Sequence, residues 1–145
     1  MLTIQRFRDE YGFLSNFYES SVKWEGLTYP NAEAAFQAAK VLTEEERLPF
    51  TVLQPGKAKR MGRRVPLRQD WERVKFAIME SIVRAKFTQN ADLAAKLLAT
   101  GDTELVEGNT WGDTCWGVDL RTGKGENHLG KALMKVRSEL RDDPE

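Results

Sequence analysis

The spacing of apolar residues predicts a chain built mainly of helices. Apolar side chains recur three or four positions apart in residues 71–85 and again in residues 129–140, which is the spacing of one helix face. The alternation typical of strands is confined to residues 2–7 and to the stretch around Val22 and Trp24. We therefore expect a mainly α fold, a compact helical domain with a few short β-strands near the N-terminus.

Short local signals mark where individual elements begin and end. Glu25-Gly26 indicates the turn of a hairpin between two strand-like segments. Pro55 is suited to the first turn of a short helix that ends near Gly62. Asp70 is expected to cap the long helix that follows, since its carboxylate can accept a free backbone N–H.

The segment YPNAEAAFQAAK, residues 29–40, departs from the usual amphipathic pattern. Glu33, Phe36, Gln37 and Lys40 fall on one helix face, and the other faces are nearly all alanine. Because alanine lets neighbouring elements approach closely, we expect a helix over about residues 31–42 that is packed on several sides. Its polar stripe would then face a cavity, with Glu33 as a base or cation stabiliser and Lys40 as its partner or as an amine nucleophile. The other interpretation is a surface face with both charges in water.

Length and composition describe one ordinary globular domain, residues 1–145, with 41% hydrophobic and 30% charged residues. No apolar run is long enough to span a membrane or to form a signal peptide. The single cysteine, Cys115, excludes an intrachain disulfide and favours a reducing compartment, so we expect a cytoplasmic protein. The single histidine, His128, excludes a histidine-based zinc site, and we expect neither a metal nor a cofactor.

The charges are balanced in total but unevenly distributed. The chain has 22 basic and 22 acidic residues, which argues against a protein that coats nucleic acid through bulk charge. Residues 47–69, however, contain seven Lys or Arg and no acid. This stretch is either a solvated basic face or a site for a ligand that carries phosphate.

A second candidate region, residues 105–119, is rich in glycine, tryptophan and acid. Trp111 and Trp116 lie among Glu107, Asp113 and Asp119. Glycine permits tight backbone paths and tryptophan offers a stacking surface, so the segment is typical of a ligand loop. The equally supported alternative is a tryptophan pair that anchors a loop to the core.

The motifs, taken together and in order, resemble one protein family. The segments are YGFLSNFY, YPNAEAAFQAAK, AKRMGR, DWERVKFAIMESIVRAKF, LLATGDTELVE, DTCWG and GENHLGKALMKVR. They are similar in order and approximate spacing to the YbiA-like proteins, also called the NADAR family, over residues 7–140. The resemblance implies an α-rich orthogonal fold and N-glycosidase activity, the hydrolysis of a bond between ribose C1 and nitrogen.

The resemblance also implies two groups of substrate. One is the phosphoribosyl-amino pyrimidine intermediates of riboflavin synthesis, and the other is ADP-ribose attached to guanine, possibly within nucleic acid. Both are phosphorylated N-ribosides, which agrees with the acid-free basic stretch. Two alternatives stay open: a non-catalytic module that binds ADP-ribose or a related NAD derivative, and a partner-binding protein whose interface is the basic face.

The family motifs place the acidic position at Glu33 and the lysine at Lys40, with Asp113 as the second carboxylate. These three are the expected catalytic residues. One departure concerns Ala34 and Ala35, where family members often have an aromatic and a polar residue, so the site nearby differs in shape. The expected substrate-binding residues are Phe13, Asn16, Phe17, Gln37, Arg63, Arg64, Trp71, Trp111, Trp116 and Asn127.

Two chemical routes are compatible with these residues. In the first, the Glu33 carboxylate stabilises positive charge on ribose C1 or activates a water molecule that attacks it. In the second, Lys40 attacks C1 and forms a Schiff base with the opened sugar. In both, aromatic rings would stack on the base and Arg63 with Arg64 would hold phosphate.

Overall fold

The computed structural model describes residues 2–142. The helices are α1 (Ala32–Ala38), α2 (Glu44–Arg47), α3 (Pro55–Gly62), α4 (Trp71–Gln89), α5 (Ala91–Ala99) and α6 (His128–Asp142), with 3₁₀ turns at Asp9–Leu14 and Leu48–Val52. The strands are β1 (Thr3–Ile4), β2 (Glu19–Trp24), β3 (Leu27–Asn31), β4 (Glu104–Leu105), β5 (Gly108–Asn109) and β6 (Val118–Asp119). The prediction of a mainly helical fold with few short strands is confirmed, although β4, β5 and β6 lie in the C-terminal half.

The chain divides into two compact units, which we describe separately. The central unit is Asn16–Asn90, and the terminal unit combines Met1–Ser15 with Ala91–Glu145. The expectation of one domain over residues 1–145 stays a prediction. Within residues 2–142, every helix is too short or too polar to cross a membrane.

In the central unit, β2 and β3 form the predicted hairpin. The strands are antiparallel, with Val22 opposite Tyr29, and the turn residues Glu25 and Gly26 have positive φ angles of 48° and 90°. Helix α4 packs on β2, where the indole Nε1 of Trp24 donates to the Ser81 hydroxyl at 3.0 Å. The hairpin and α4 thus provide two of the surfaces against which α1 packs.

Helix α1 is packed on several sides, as its alanines predict. It contacts α3, α4, β2 and β3, and every residue of the helix is buried. The Asn31 side chain caps it by accepting the Ala34 N–H at 2.7 Å. The predicted end near residue 42 is wrong: the helix ends at Ala38. After Ala38 the helical pattern of hydrogen bonds changes, because the N–H groups of Lys40 and Val41 donate to carbonyls three residues back, those of Gln37 and Ala38, instead of four. The following carbonyls, at positions 39 and 40, accept hydrogen bonds from Arg68.

The segment between α3 and α4 shows one confirmed and one wrong prediction. Helix α3 begins at Pro55 and ends at Gly62, as expected. The Asp70 carboxylate, by contrast, makes no capping hydrogen bond at the start of α4. It accepts two hydrogen bonds from the Arg68 guanidinium instead, at 2.7 and 3.1 Å. A charged donor at this distance competes successfully with a backbone N–H for the same oxygens.

The terminal unit is held together by short parallel strand pairs and two helices. Strand β1 pairs with β4, strand β5 pairs with β6, and α6 packs on both α5 and β4. The buried Arg137 guanidinium donates to the Thr100 hydroxyl at 2.9 Å and to the Thr103 carbonyl at 2.8 Å. These bonds tie α6 to the turn that follows α5.

Candidate active site

The polar stripe of α1 is inside the protein. Glu33 is 8% exposed and Gln37 5% exposed, and Gln37 Nε2 donates to Glu33 Oε2 at 2.6 Å. The neighbouring Phe36 ring is also buried. This burial excludes the interpretation of the stripe as a solvated surface face. Burying a carboxylate costs free energy, which makes Glu33 a candidate catalytic group to be judged with its neighbours.

Lys40 lies two residues beyond the end of α1 and is half-buried. Its Nζ donates to the Gly62 carbonyl at 3.4 Å. Burial lowers the pKa of Lys40 below its ordinary value, the Glu33 carboxylate opposes this effect, and the cations Arg63 and Lys59 lower the pKa further. The Lys40 amine and the Glu33 carboxylate are therefore close enough to influence each other. A lowered pKa leaves more of the amine neutral and able to act as a nucleophile.

The central unit also contains the aromatic rings of Phe17, Phe36 and Trp71. The Phe36 and Trp71 rings are 5.1 Å apart between centroids and tilted by 53°, and both are buried. Phe17 is 45% exposed, and Lys59 Nζ lies 5.8 Å from the centre of its ring. Phe17 therefore presents an accessible ring face next to a cation, an arrangement suited to a base that carries a phosphorylated sugar.

Asn16 contacts the start of α1. Its backbone carbonyl accepts the Glu33 N–H at 3.0 Å, and its side-chain Nδ2 lies 3.3 Å from the Met79 sulfur. Asn16 itself is buried. These contacts hold the first turn of α1, and with it the Glu33 backbone, in place. The substrate contact expected of Asn16 stays a prediction.

The basic stretch splits into structural and unpaired cations. Arg47 forms an ion pair with Glu25 at 2.6 Å, and Arg68 forms one with Asp70 at 2.7 Å. The remaining five form no ion pair with any other residue in the described range 2–142. They are Lys57, Lys59, Arg60, Arg63 and Arg64. Cations without carboxylate partners, grouped on α3 and its C-terminal end, suit a phosphate-bearing ligand.

In the terminal unit, the polar residues of segment 105–119 bind mainly to their own backbone. Asp113 Oδ1 accepts the N–H groups of Cys115 at 3.1 Å and Trp116 at 2.9 Å. Asn109 accepts the Asp113 N–H at 3.0 Å and donates to the Asp113 carbonyl at 2.9 Å. One oxygen of the expected second catalytic carboxylate is therefore used in folding the segment.

The other expected terminal-unit residues differ in accessibility. Trp111 is 65% exposed, whereas Trp116 lies edge-on to the His128 ring at 6.2 Å. Asn127 is buried and bridges a backbone carbonyl and a backbone N–H, at 3.0 Å each. Phe13 is buried, with Lys96 Nζ 5.8 Å from its ring centre. The roles predicted for these residues and for Asp113 stay predictions.

The structure adds two residues that sequence analysis did not assign to the site. Gly62 accepts the Lys40 amine through its carbonyl, and Arg68 holds the chain that carries Lys40. In the sequence, Gly62 is a helix stop and Arg68 one basic residue among seven. Neither signal indicates the contact with α1. Across residues 2–142, no three His, Cys, Asp or Glu side chains are grouped to hold a metal ion.

Comparison with known proteins identifies the family. The NADAR domain family matches residues 4–141 of this chain. The N-glycosidase YbiA of Escherichia coli (strain K12) is 47% identical over 135 residues, which are 91% of this chain and 83% of that protein. A riboflavin biosynthesis protein of Vibrio vulnificus (strain YJ016) is 42% identical over 139 residues, which are 92% of this chain and 37% of that longer protein.

A solved structure agrees with the sequence comparisons. The NMR structure of the E. coli protein YbiA superimposes with a TM-score of 0.83 at 42% sequence identity, covering 97% of this chain and 84% of that one. The family resemblance carried by the seven motifs is thereby confirmed. The chain belongs to the NADAR domain family.

Proposed function

We propose that this protein is an N-glycosidase that hydrolyses the C1–N bond of a phosphorylated N-riboside. The observation that carries the proposal is the buried Glu33 carboxylate, held by Gln37 and electrostatically coupled to the Lys40 amine of lowered pKa. Support comes from the family, since the E. coli relative bears the name N-glycosidase. No metal or cofactor is required for the chemistry that these side chains provide.

Direct hydrolysis uses the carboxylate as its central group. As the C1–N bond breaks, its electron pair moves to the nitrogen, and positive charge builds on C1 and the ring oxygen. The Glu33 carboxylate stabilises that charge, or removes a proton from the water whose oxygen bonds to C1. Lys40 in its protonated form donates a proton to the departing nitrogen. The products are the free base and the phosphorylated sugar.

The Schiff-base route gives Lys40 the larger part. The neutral amine bonds to C1, the base leaves with a proton, and ring opening produces an imine between C1 and Nζ. Water then hydrolyses the imine and restores the amine. The lowered pKa of Lys40 supports this route, because it increases the neutral fraction at physiological pH. Both routes need the carboxylate and the amine within one site.

The surroundings favour a substrate with phosphate and an aromatic base. Arg63 and Arg64 supply exposed cations, and Phe17 supplies an accessible ring. The Vibrio vulnificus relative is named a riboflavin biosynthesis protein, which makes phosphoribosyl-amino pyrimidines the first substrates to test. ADP-ribosylated guanine, free or in nucleic acid, is the second. The single cysteine supports a cytoplasmic location for this activity.

A side-by-side assay tests the proposal. The protein is incubated with a phosphoribosyl-amino pyrimidine and, separately, with ADP-ribosylated guanosine, and release of the free base is followed by chromatography. We expect release from at least one of them, with heat-denatured protein as the control. Tight binding of ADP-ribose without release of base from either compound would contradict the proposal and indicate a non-catalytic binding module.

A further inference from the structure

Gln37 occupies an unusual position for a residue expected to contact substrate. Its Nε2 donates to Glu33 Oε2, and its Oε1 is buried from solvent without a hydrogen-bond partner among the described residues. The opposite orientation of the amide would set two oxygens against each other, so the donor must face Glu33. An amide that accepted a hydrogen bond from substrate would present its oxygen to the site. Here that oxygen is enclosed by protein.

Gly62 explains where the enclosed oxygen lies. A Cβ built on Gly62 would overlap Oε1 of Gln37 and come within 2.6 Å of its Cδ. The absence of a side chain at Gly62 therefore makes room for the Gln37 amide. The carbonyl of the same glycine accepts the Lys40 amine at 3.4 Å. One residue at the end of α3 thus contacts both polar groups that follow Glu33 on the predicted stripe.

We propose that Gln37 and Gly62 are positioning residues for catalysis. Gln37 fixes the rotation of the Glu33 carboxylate, and Gly62 fixes Gln37 and the Lys40 amine together. This inference rests on the proposed function, in which Glu33 acts on ribose C1. A carboxylate that stabilises charge at one carbon must be held in a narrow range of orientations, and small displacements cost large factors in rate. Holding the carboxylate in this way leaves Gln37 Oε1 buried without a hydrogen-bond partner among the described residues, which lowers stability.

The first test separates positioning from substrate binding. Gln37→Met keeps the length and approximate volume of the side chain but removes the N–H donor and the enclosed oxygen. We expect kcat to fall about 10- to 100-fold, KM to stay within about threefold, and the melting temperature not to fall. A KM increase with kcat nearly unchanged would overturn the inference and make Gln37 a substrate contact. Wild-type kcat and KM would overturn it as well.

The second test asks whether Gly62 acts through Gln37. Gly62→Ala should displace the amide and lower kcat by a factor similar to that of Gln37→Met. When Gly62→Ala is added to a Gln37→Ala variant, kcat should fall by less than a further factor of about three, because the Gln37 atoms that the new Cβ would overlap are gone. If the kcat loss of the double variant equals the product of the two single losses, Gly62 and Gln37 act independently, and the inference that Gly62 acts through Gln37 is overturned.

A matched control lies on the same helix. Gly56 is also in α3, and a Cβ built on it meets nothing within 4 Å. Gly56→Ala should keep wild-type kcat and KM. If Gly62→Ala fails to fold, the kcat and KM of Gln37→Met decide the question. The base-release assay of the wild type decides the proposed function, and a Glu33→Gln variant then tests the carboxylate: if it is as active as wild type, the catalytic role of Glu33 fails. If it is inactive while Gln37→Met is fully active, only the positioning inference fails.

Discussion

Helix α1 and segment 105–119 both carry buried amides and carboxylates, but those of the segment bind mainly backbone groups. Asp113 accepts backbone N–H groups, and Asn109 bonds to the Asp113 backbone as well as to the Glu107 carboxylate. In α1, Gln37 binds the Glu33 side chain, and the first N–H groups of the helix are accepted by Asn16 and Asn31. Asx side chains commonly stabilise turns, so their presence in a glycine-rich loop has a structural explanation. The Gln37 amide instead bonds to a carboxylate within a regular helix, and for this reason we propose α1, rather than the segment, as the site of chemistry.

The largest expected effect comes from removing the Lys40 amine, which follows α1. Lys40→Met should lower kcat/KM at least about 100-fold, since both routes use this group. The pH profile then separates the routes. Because the pKa of Lys40 is lowered by burial, its titration falls below the ordinary lysine value. On the Schiff-base route, wild-type activity rises as pH increases through that titration, and on the proton-donor route it falls.

Borohydride provides an independent readout of the same residue. Reduction during turnover should trap a covalent sugar adduct at Lys40 if an imine forms, and mass spectrometry locates it. Full turnover without an adduct would assign the chemistry to direct hydrolysis. A Lys40→Met variant with wild-type kcat/KM would contradict the proposal that α1 and the adjoining Lys40 form the site of chemistry.

Burial alone does not mark a functional group, and Lys86 of α4 shows why. Lys86 is 1% exposed, with its Nζ 5.6 Å from the Tyr18 ring centre, and burial lowers its pKa to about 7. Between pH 7 and the ordinary lysine value, the unfolded chain holds a proton that the folded chain lacks, so raising the pH favours folding.

A Lys86→Met variant tests this structural assignment. The difference in free energy of unfolding, wild type minus Lys86→Met, should increase by up to about 1.4 kcal/mol per pH unit above pH 7. Urea unfolding at pH 7 and pH 9 measures the change, and groups common to both proteins cancel. An identical difference at both pH values would contradict it. Activity at pH 7 should change little, in contrast to Lys40→Met.

A smaller effect is expected in segment 105–119. Asn109→Ala removes hydrogen bonds to Glu107 and to the Asp113 backbone, and should destabilise the protein by about 1–3 kcal/mol. Denaturant unfolding measures the loss. If segment 105–119 has only a structural role, kcat below the unfolding transition should stay within about threefold of wild type. A kcat loss as large as that of Lys40→Met, without destabilisation, would reverse the roles of the two regions.

The smallest effect concerns phosphate. Arg63→Gln should raise KM about tenfold for a phosphorylated substrate, on the scale of one charge-assisted hydrogen bond. A dephosphorylated substrate should show no difference in KM between the variant and the wild type. Because Arg63 also lowers the pKa of Lys40, any change in kcat should be the same for both substrates. Arg60→Gln, another unpaired cation of the same stretch, provides a comparison of equal charge. A tenfold effect on both substrates would show that Arg63 does not act through phosphate.

Local signals in the sequence predicted the elements whose causes are local. The hairpin turn at Glu25-Gly26 and the helix from Pro55 to Gly62 depend on residues within a few positions, and both are confirmed. The end of α1 was predicted too late, because the N–H groups of Lys40 and Val41 donate three residues back and Arg68, far along the chain, holds the carbonyls at positions 39 and 40. Asp70 failed as a cap for a related reason, since Arg68 occupies its carboxylate.

The candidate site shows the same limit. The alanine-rich context was enough to predict that the Glu33 stripe is enclosed, because small residues imply close packing. The contact of Gly62 with Gln37 and Lys40 was not predictable, since it depends on how α3 packs against α1. Likewise, the sequence shows that Asp113 lies among tryptophans but not that its oxygen accepts two backbone N–H groups.

The most direct test compares one carboxylate from each region. Glu33→Gln and Asp113→Asn are assayed together for release of base from the substrate that wild type cleaves, with thermal unfolding as a check on folding. We expect Glu33→Gln to lower kcat at least about 100-fold, and Asp113→Asn to lower it by clearly less. A fully folded Glu33→Gln protein with near-wild-type kcat, beside an inactive Asp113→Asn protein, would contradict the account.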